Sequence, residues 1–120
     1  MSDSSQRFEL LRTNYAQSLA SKYSALESTW HEFAASPDAA LLRELHVLVH
    51  RLVGSAPAYG YARIGDLARA ADTQIAEWDE LHNSSHESIN VLAKSLARTM
   101  RALLDALEQA ASEAGSPSAS

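Results

Sequence analysis

Four runs of apolar residues, each stepping three and four positions at a time, limit this chain to a helical architecture. The first run is Phe8, Leu11, Tyr15, Leu19, Tyr23, Leu26, Trp30 and Phe33. Residues at those steps share one face of an α-helix, so the stripe predicts a helix from Phe8 to near Ala35. Ser36-Pro37-Asp38 then reads as a helix start, with a serine N-cap, a proline in the first turn and an early acidic residue. The second stripe is Leu41, Leu45, Leu48, Leu52 and Ala56. It closes at Tyr59-Gly60, where glycine can take the left-handed conformation that ends a helix. A third stripe, Ile64, Leu67, Ala68, Ala71, Ile75 and Trp78, breaks in the polar segment 79–85. Ser84 and Glu87 fit a capping box ahead of the fourth, Ile89, Leu92, Leu96, Met100, Leu103 and Leu107. Residues 1–6 are expected to be a flexible N-terminus, and Ala114-Gly115-Ser116-Pro117-Ser118-Ala119-Ser120 a flexible tail or linker. The expectation is an all-α fold, an antiparallel four-helix bundle over residues 7–113, with room for a short extra N-terminal helical segment.

Composition removes most chemistries. With 120 residues the chain is long enough for one domain and one core. Valine and isoleucine are few, so strand-forming chemistry is scarce. There is no cysteine, which excludes disulfides, Cys-ligated zinc, iron–sulfur clusters and thiol catalysis. Ten Lys+Arg against 15 Asp+Glu give a net charge of −5, the wrong balance for a general nucleic-acid binder. No apolar run reaches the ~18 residues of a membrane span. The polar start Met1-Ser2-Asp3-Ser4-Ser5 has no signal-peptide character. The expected setting is cytoplasmic, as a monomer in isolation, with neither a nucleic-acid nor a membrane partner.

The second helix departs from its pattern on its outer side. Set His50 at zero on a helical wheel of about 100° per residue. Arg43 then falls at about +20°, Pro57 at about −20°, Gly54 at about +40° and His46 at about −40°. Val47 and Val53 follow at about +60° and −60°. Leu41, Leu45, Leu48 and Leu52 lie within about 40° of the opposite side, which sets the expected core direction. A solvated helix face should carry Arg, Glu, Lys and Gln, whereas this one carries histidine, two valines, glycine and proline. Each oddity has a plain structural explanation: a tolerated glycine, a proline bending the last turn, valines covered by a neighbouring segment. Together they describe an imidazole that another molecule can approach, flanked by apolar area suited to docking.

The run His50-Arg51-Leu52-Val53-Gly54-Ser55-Ala56-Pro57-Ala58-Tyr59-Gly60 resembles the signature of histidine-containing phosphotransfer (HPt) domains, His-x-Leu-Lys-Gly followed by two small residues and a later glycine. The downstream stretch from Ala62 to Asp72 is similar to that family's next helix. The resemblance covers most of the chain, from about Phe8 to Leu107, and its specific part is about eleven residues. It implies a phosphorelay carrier. His50 would take a phosphoryl group on Nε2 from the aspartate of a receiver domain and pass it to another, with no ATP-hydrolysing or kinase site of its own. The partners implied are receiver domains of response regulators and hybrid histidine kinases. Arg43, His46, Val47, Arg51, Val53, Gly54 and Pro57 are the expected docking residues. One position departs: the family usually has Lys or Arg three residues after the histidine, and this chain has Val53. Arg51 and Arg43 are the candidate substitutes for that charge.

The residues support this chemistry independently of the resemblance. A neutral imidazole nitrogen is a good nucleophile near pH 7. There is no Gly-rich phosphate-cradling loop of the P-loop or kinase type, so a donor must bring the phosphate. No acidic cluster is evident around His50, Glu44 pointing about 120° away. The chain is therefore expected to hold no cofactor, with Mg²⁺ supplied by the partner receiver domain. His46 and His50, and likewise His82 and His86, have the i, i+4 spacing of a metal-binding pair. A third ligand is missing in the sequence, so no metal site is assigned. Two further readings stay open: a receiver-binding or helix-binding module that transfers nothing, and a small metal-binding helical protein.

Overall fold

The computed structural model describes residues 3–81 and 86–115. Four helices carry the chain: α1 (Asp3–Ala35), α2 (Ala39–Ser55), α3 (Ala62–Leu81) and α4 (His86–Gly115), with a 3₁₀ turn at Pro57–Tyr59 between α2 and α3. No strand occurs among the described residues. Each helix packs against two others, in the cyclic order α1, α2, α3, α4 and back to α1. With tight connections reversing the chain from α1 to α2 and from α2 to α3, this is an all-α helical bundle. Its extents are 56 × 25 × 19 Å. None of the described helices is long and apolar enough to cross a membrane.

The core is the sum of the four stripes. Leu19, Leu26 and Phe33 of α1 are fully enclosed, as are Ala68 and Ala71 of α3 and Leu96, Met100, Leu103 and Leu107 of α4. Tyr23, Trp30, Leu67 and Trp78 sit half-buried against them. All six expected positions of α4 are buried. The start of α1 differs from expectation. The helix begins at Asp3, within the segment expected to be flexible. Phe8 and Leu11, read as core, are 46% and 50% exposed. Among the described side chains, that first part of α1 buries none before Tyr15, and the Phe8 ring stacks on that of Tyr59 with centroids 6.5 Å apart. At the other end α4 continues through Gly115, two residues into the expected tail. The Ser84–Glu87 capping box and the His82/His86 pair fall on side chains outside those described.

The α2 boundaries and facing also shift. Asp38, not Ser36, caps the helix, its Oδ1 accepting from the Leu41 N–H at 2.8 Å. Ser36 instead continues the end of α1, donating its N–H to the Glu32 carbonyl. At the far end the helix stops at Ser55 rather than Tyr59. Pro57 has no N–H to give to the Val53 carbonyl, and the chain tightens into the 3₁₀ turn. Gly60 closes that turn at φ 95°, in the left-handed region expected of it.

The buried residues of α2 are Leu42, Leu45, Val49 and Leu52, followed by Ala56. Leu41 and Leu48 are only half-buried. The core direction is thus turned by about 60° from the one that the leucines alone indicate. Leu48 faces α1 across a shallow concavity that also holds Leu26 and Leu52. The rotation brings the His46 edge of α2 down towards α3 and lifts the Gly54 and Val47 edge into solvent.

Candidate functional site

His50 stands on the outer side of α2 with its side chain 71% exposed. Its ring is not isolated. Asp72, one helix over on α3, places Oδ1 at 3.3 Å and Oδ2 at 3.4 Å from His50 Nδ1. The same Oδ1 lies 2.7 Å from His46 Nε2. An ionised carboxylate only accepts, so both imidazoles donate N–H to Asp72. This assigns the His50 proton to Nδ1 and leaves the Nε2 lone pair directed away from the carboxylate. The Asp72 side chain is 21% exposed and that of His46 38%, so the aspartate forms a partly shielded floor under the exposed histidine. The two rings lie edge to face with centroids 6.1 Å apart.

This arrangement corrects the expectation that no carboxylate stands near His50. On α2 itself the nearest acidic residue is Glu44, and a helical wheel of α2 carries no information on the helices beside it. The carboxylate comes from α3. Asp72 also provides the third ligand-type side chain that the His46/His50 pair lacked.

The expected docking residues divide into two groups. Arg43, Arg51, Gly54 and Val47 are exposed, with Val47 at 49%. Val53 is half-buried and packed on the core, and His46 is half-buried on Asp72. Pro57 is exposed as a residue but its ring lies against α3. A Cβ built on Gly65 would come within 2.4 Å of Pro57 Cγ. Gly65 is therefore what permits the 3₁₀ turn to pack on α3. Gly54 is the opposite case. A Cβ there meets nothing within 4 Å, so no packing within the chain requires a glycine at a cost of about 1 kcal/mol relative to alanine.

On the α1 side of His50 lies an open concavity of ≈ 800 Å³. Arg51, Gly54 and Val53 line it from α2, Tyr59 from the turn, and Tyr15 and Lys22 from α1. The Lys22 ammonium donates to Ser18 Oγ at 2.8 Å and sits 4.8 Å above the Tyr15 ring. Among the described residues it forms no ion pair with a carboxylate. This cation comes from α1, so the residue pattern around His50 on α2 does not signal it. Tyr15 is the anchor of this corner. Its hydroxyl is 2.8 Å from Ser55 Oγ, and its ring stacks on Tyr59 at 4.5 Å and tilts towards Tyr61 at 5.9 Å. Burial pushes the Tyr15 phenol above its ordinary range, and the Ser55 hydrogen bond opposes that rise.

The site is thus an exposed imidazole on α2, contacted by a carboxylate from α3, with a lysine and an arginine lining the concavity on its α1 side. No family model, curated protein or solved structure matches this chain.

Proposed function

We propose that this protein is a histidine phosphotransfer carrier, taking a phosphoryl group on His50 Nε2 from the aspartyl phosphate of a receiver domain and passing it to another. The observation that carries the reading is the Asp72 contact to Nδ1 of an otherwise exposed histidine. It keeps the proton on the inner nitrogen and frees the outer one for attack, the role a buried carboxylate plays behind a reactive histidine elsewhere.

In the forward step the Nε2 lone pair attacks phosphorus, the N–P bond forms, and the bond to the partner's aspartate oxygen breaks. The aspartate leaves as a carboxylate. The ring keeps its Nδ1 proton and becomes positive, and the Asp72 carboxylate balances that charge. Onward transfer reverses each change on a second receiver. The protein has to supply position and charge compensation. Lys22 and Arg51 sit in the concavity next to His50 and are the cations available to the incoming phosphoryl oxygens. Lys22 is the substitute for the basic residue that Val53 replaces, since both side chains line the concavity next to His50. Mg²⁺ belongs to the partner's acidic pocket in this scheme.

Radiolabelled receiver domains test the proposal. Wild-type protein is expected to acquire label from a phosphorylated receiver, and His50→Gln, which changes an exposed side chain, is expected to fold normally and acquire none. Failure of wild type to accept label from a panel of receivers favours a receiver-binding module that transfers nothing.

A further inference from the structure

His46, His50 and Asp72 bring three metal-ligating atoms onto one shelf between α2 and α3. One nitrogen of each histidine and one Asp72 oxygen all lie within 4.8 Å of one another. A tetrahedral ion bound at about 2.0–2.1 Å by nitrogen and oxygen holds its ligands about 3.3 Å apart. His50 Nδ1 already stands 3.3 Å from Asp72 Oδ1. The His46 pair, at 2.7 Å, has to open by about half an ångström, within reach of a small side-chain rotation at a half-exposed position. Both histidines project from one rigid helix four residues apart, and the carboxylate from a second, so helix packing fixes the spacing.

We propose that this cluster binds a divalent late transition ion, with Zn²⁺ as its representative, through His46 Nε2, His50 Nδ1 and the Asp72 carboxylate, solvent completing the coordination. The donor set selects the ion class. Two imidazoles and one carboxylate suit zinc, copper, nickel or iron, whereas Mg²⁺ and Ca²⁺ favour oxygen ligands. Coordination has a consequence for His50. The ion takes the Nδ1 lone pair, so the one proton of the neutral ring moves to Nε2 and the outer nitrogen loses the pair needed for attack. The ion and the phosphoryl group therefore exclude each other at His50. That exclusion rests on the phosphotransfer reading, while the metal site itself stands without it.

Calorimetric titration of the full chain with zinc chloride tests the site, with circular dichroism to verify that each variant is folded. Saturable one-to-one binding is expected in wild type and in the His82→Gln/His86→Gln double variant. His46→Gln and Asp72→Asn are each expected to weaken it more than about tenfold, and zinc should shift the ring ¹⁵N signals of His46 and His50. No saturable binding, binding that survives both single variants, or binding lost only in the double variant overturns the site. Zinc that binds as expected in a protein that never accepts phosphate upholds the site and removes the phosphotransfer reading. Label uptake at an unchanged rate with the site saturated overturns the exclusion.

Discussion

Asp72 of α3 sits beneath His50 of α2, its carboxylate oxygens 3.3 and 3.4 Å from the histidine Nδ1. Its Oδ1 is shared with His46 at 2.7 Å. The pairing gives Asp72 two roles in the proposed chemistry: it selects the tautomer that exposes a nucleophilic Nε2, and it offsets the charge that develops on the ring.

Asp72→Asn separates these roles from mere exposure of the histidine. The amide is neutral and can donate as well as accept, so it neither enforces the tautomer nor offsets the charge. Phosphoryl uptake is expected to slow by at least about a hundredfold, with the helical circular dichroism signal unchanged. An unaltered rate, followed by label transfer from a phosphorylated receiver, would show that Asp72 is a bystander.

Gly54 and Gly65 should respond oppositely to the same change. With nothing within 4 Å of a Cβ at Gly54, Gly54→Ala is expected to raise stability by about 0.4–1 kcal/mol, because the unfolded chain loses freedom. It should also slow transfer, since the added methyl stands on the face a receiver must approach. At Gly65 a Cβ collides with the Pro57 ring at 2.4 and 2.8 Å, and that ring cannot swing aside as a flexible side chain would. Gly65→Ala is expected to destabilise by about 1–2 kcal/mol, read from urea midpoints.

Lys22 is the cation proposed to compensate for Val53. Lys22→Gln removes the charge and with it the ammonium contact on the Tyr15 ring, so stability should fall by no more than about 1 kcal/mol. The rate of phosphoryl uptake is expected to fall about tenfold, and adding a lysine through Val53→Lys in that background should restore part of it. A Lys22→Gln protein that transfers at the wild-type rate would remove Lys22 from the mechanism.

The Tyr15 phenol makes stability depend on alkaline pH. Burial raises its pKa above the ordinary value of 10.0, with the Ser55 hydrogen bond opposing. The folded state therefore holds this proton longer than the unfolded state does. The contribution is fully present below about pH 10 and is lost as pH climbs through the raised folded value. Tyr23 adds a slope of the same sign, through desolvation first and then Glu108, Glu27 and Asp105. Denaturation midpoints between pH 9 and 11 should fall less steeply in Tyr15→Phe than in wild type.

Much of this fold was legible because helix periodicity is local. The α3 and α4 stripes reappear in the core residue for residue, from Ile64 to Trp78 and from Ile89 to Leu107. The first turns of α1 misled because Phe8 and Leu11 keep the spacing of a buried stripe where α1 buries none of its side chains. The α2 wheel was off by about 60° because four leucines were weighted alike, whereas Leu42 and Val49 face the centre and Leu48 turns to α1.

His50 was visible from its neighbours in the chain, and Asp72 was not, since it is 22 residues away and on another helix. One signal was available. Asp72 lies twelve residues after Gly60, and the midpoint of His46 and His50 lies twelve residues before it. In an antiparallel helix pair turning at Gly60 those positions stand level, so the hairpin alone brings the aspartate to the histidines. Lys22 has no comparable signal, because the register of α1 against α2 depends on the Tyr15–Tyr59–Ser55 cluster at their shared corner.

The position of the phosphoryl group on the His50 ring tests the account most directly. Phosphorus NMR of the protein, phosphorylated by a receiver domain, distinguishes the two ring isomers. The Asp72 contact predicts a single phosphohistidine at His50, attached through Nε2 and absent from His50→Gln. A phosphoryl group on Nδ1, on another histidine, or on no histidine at all would contradict it.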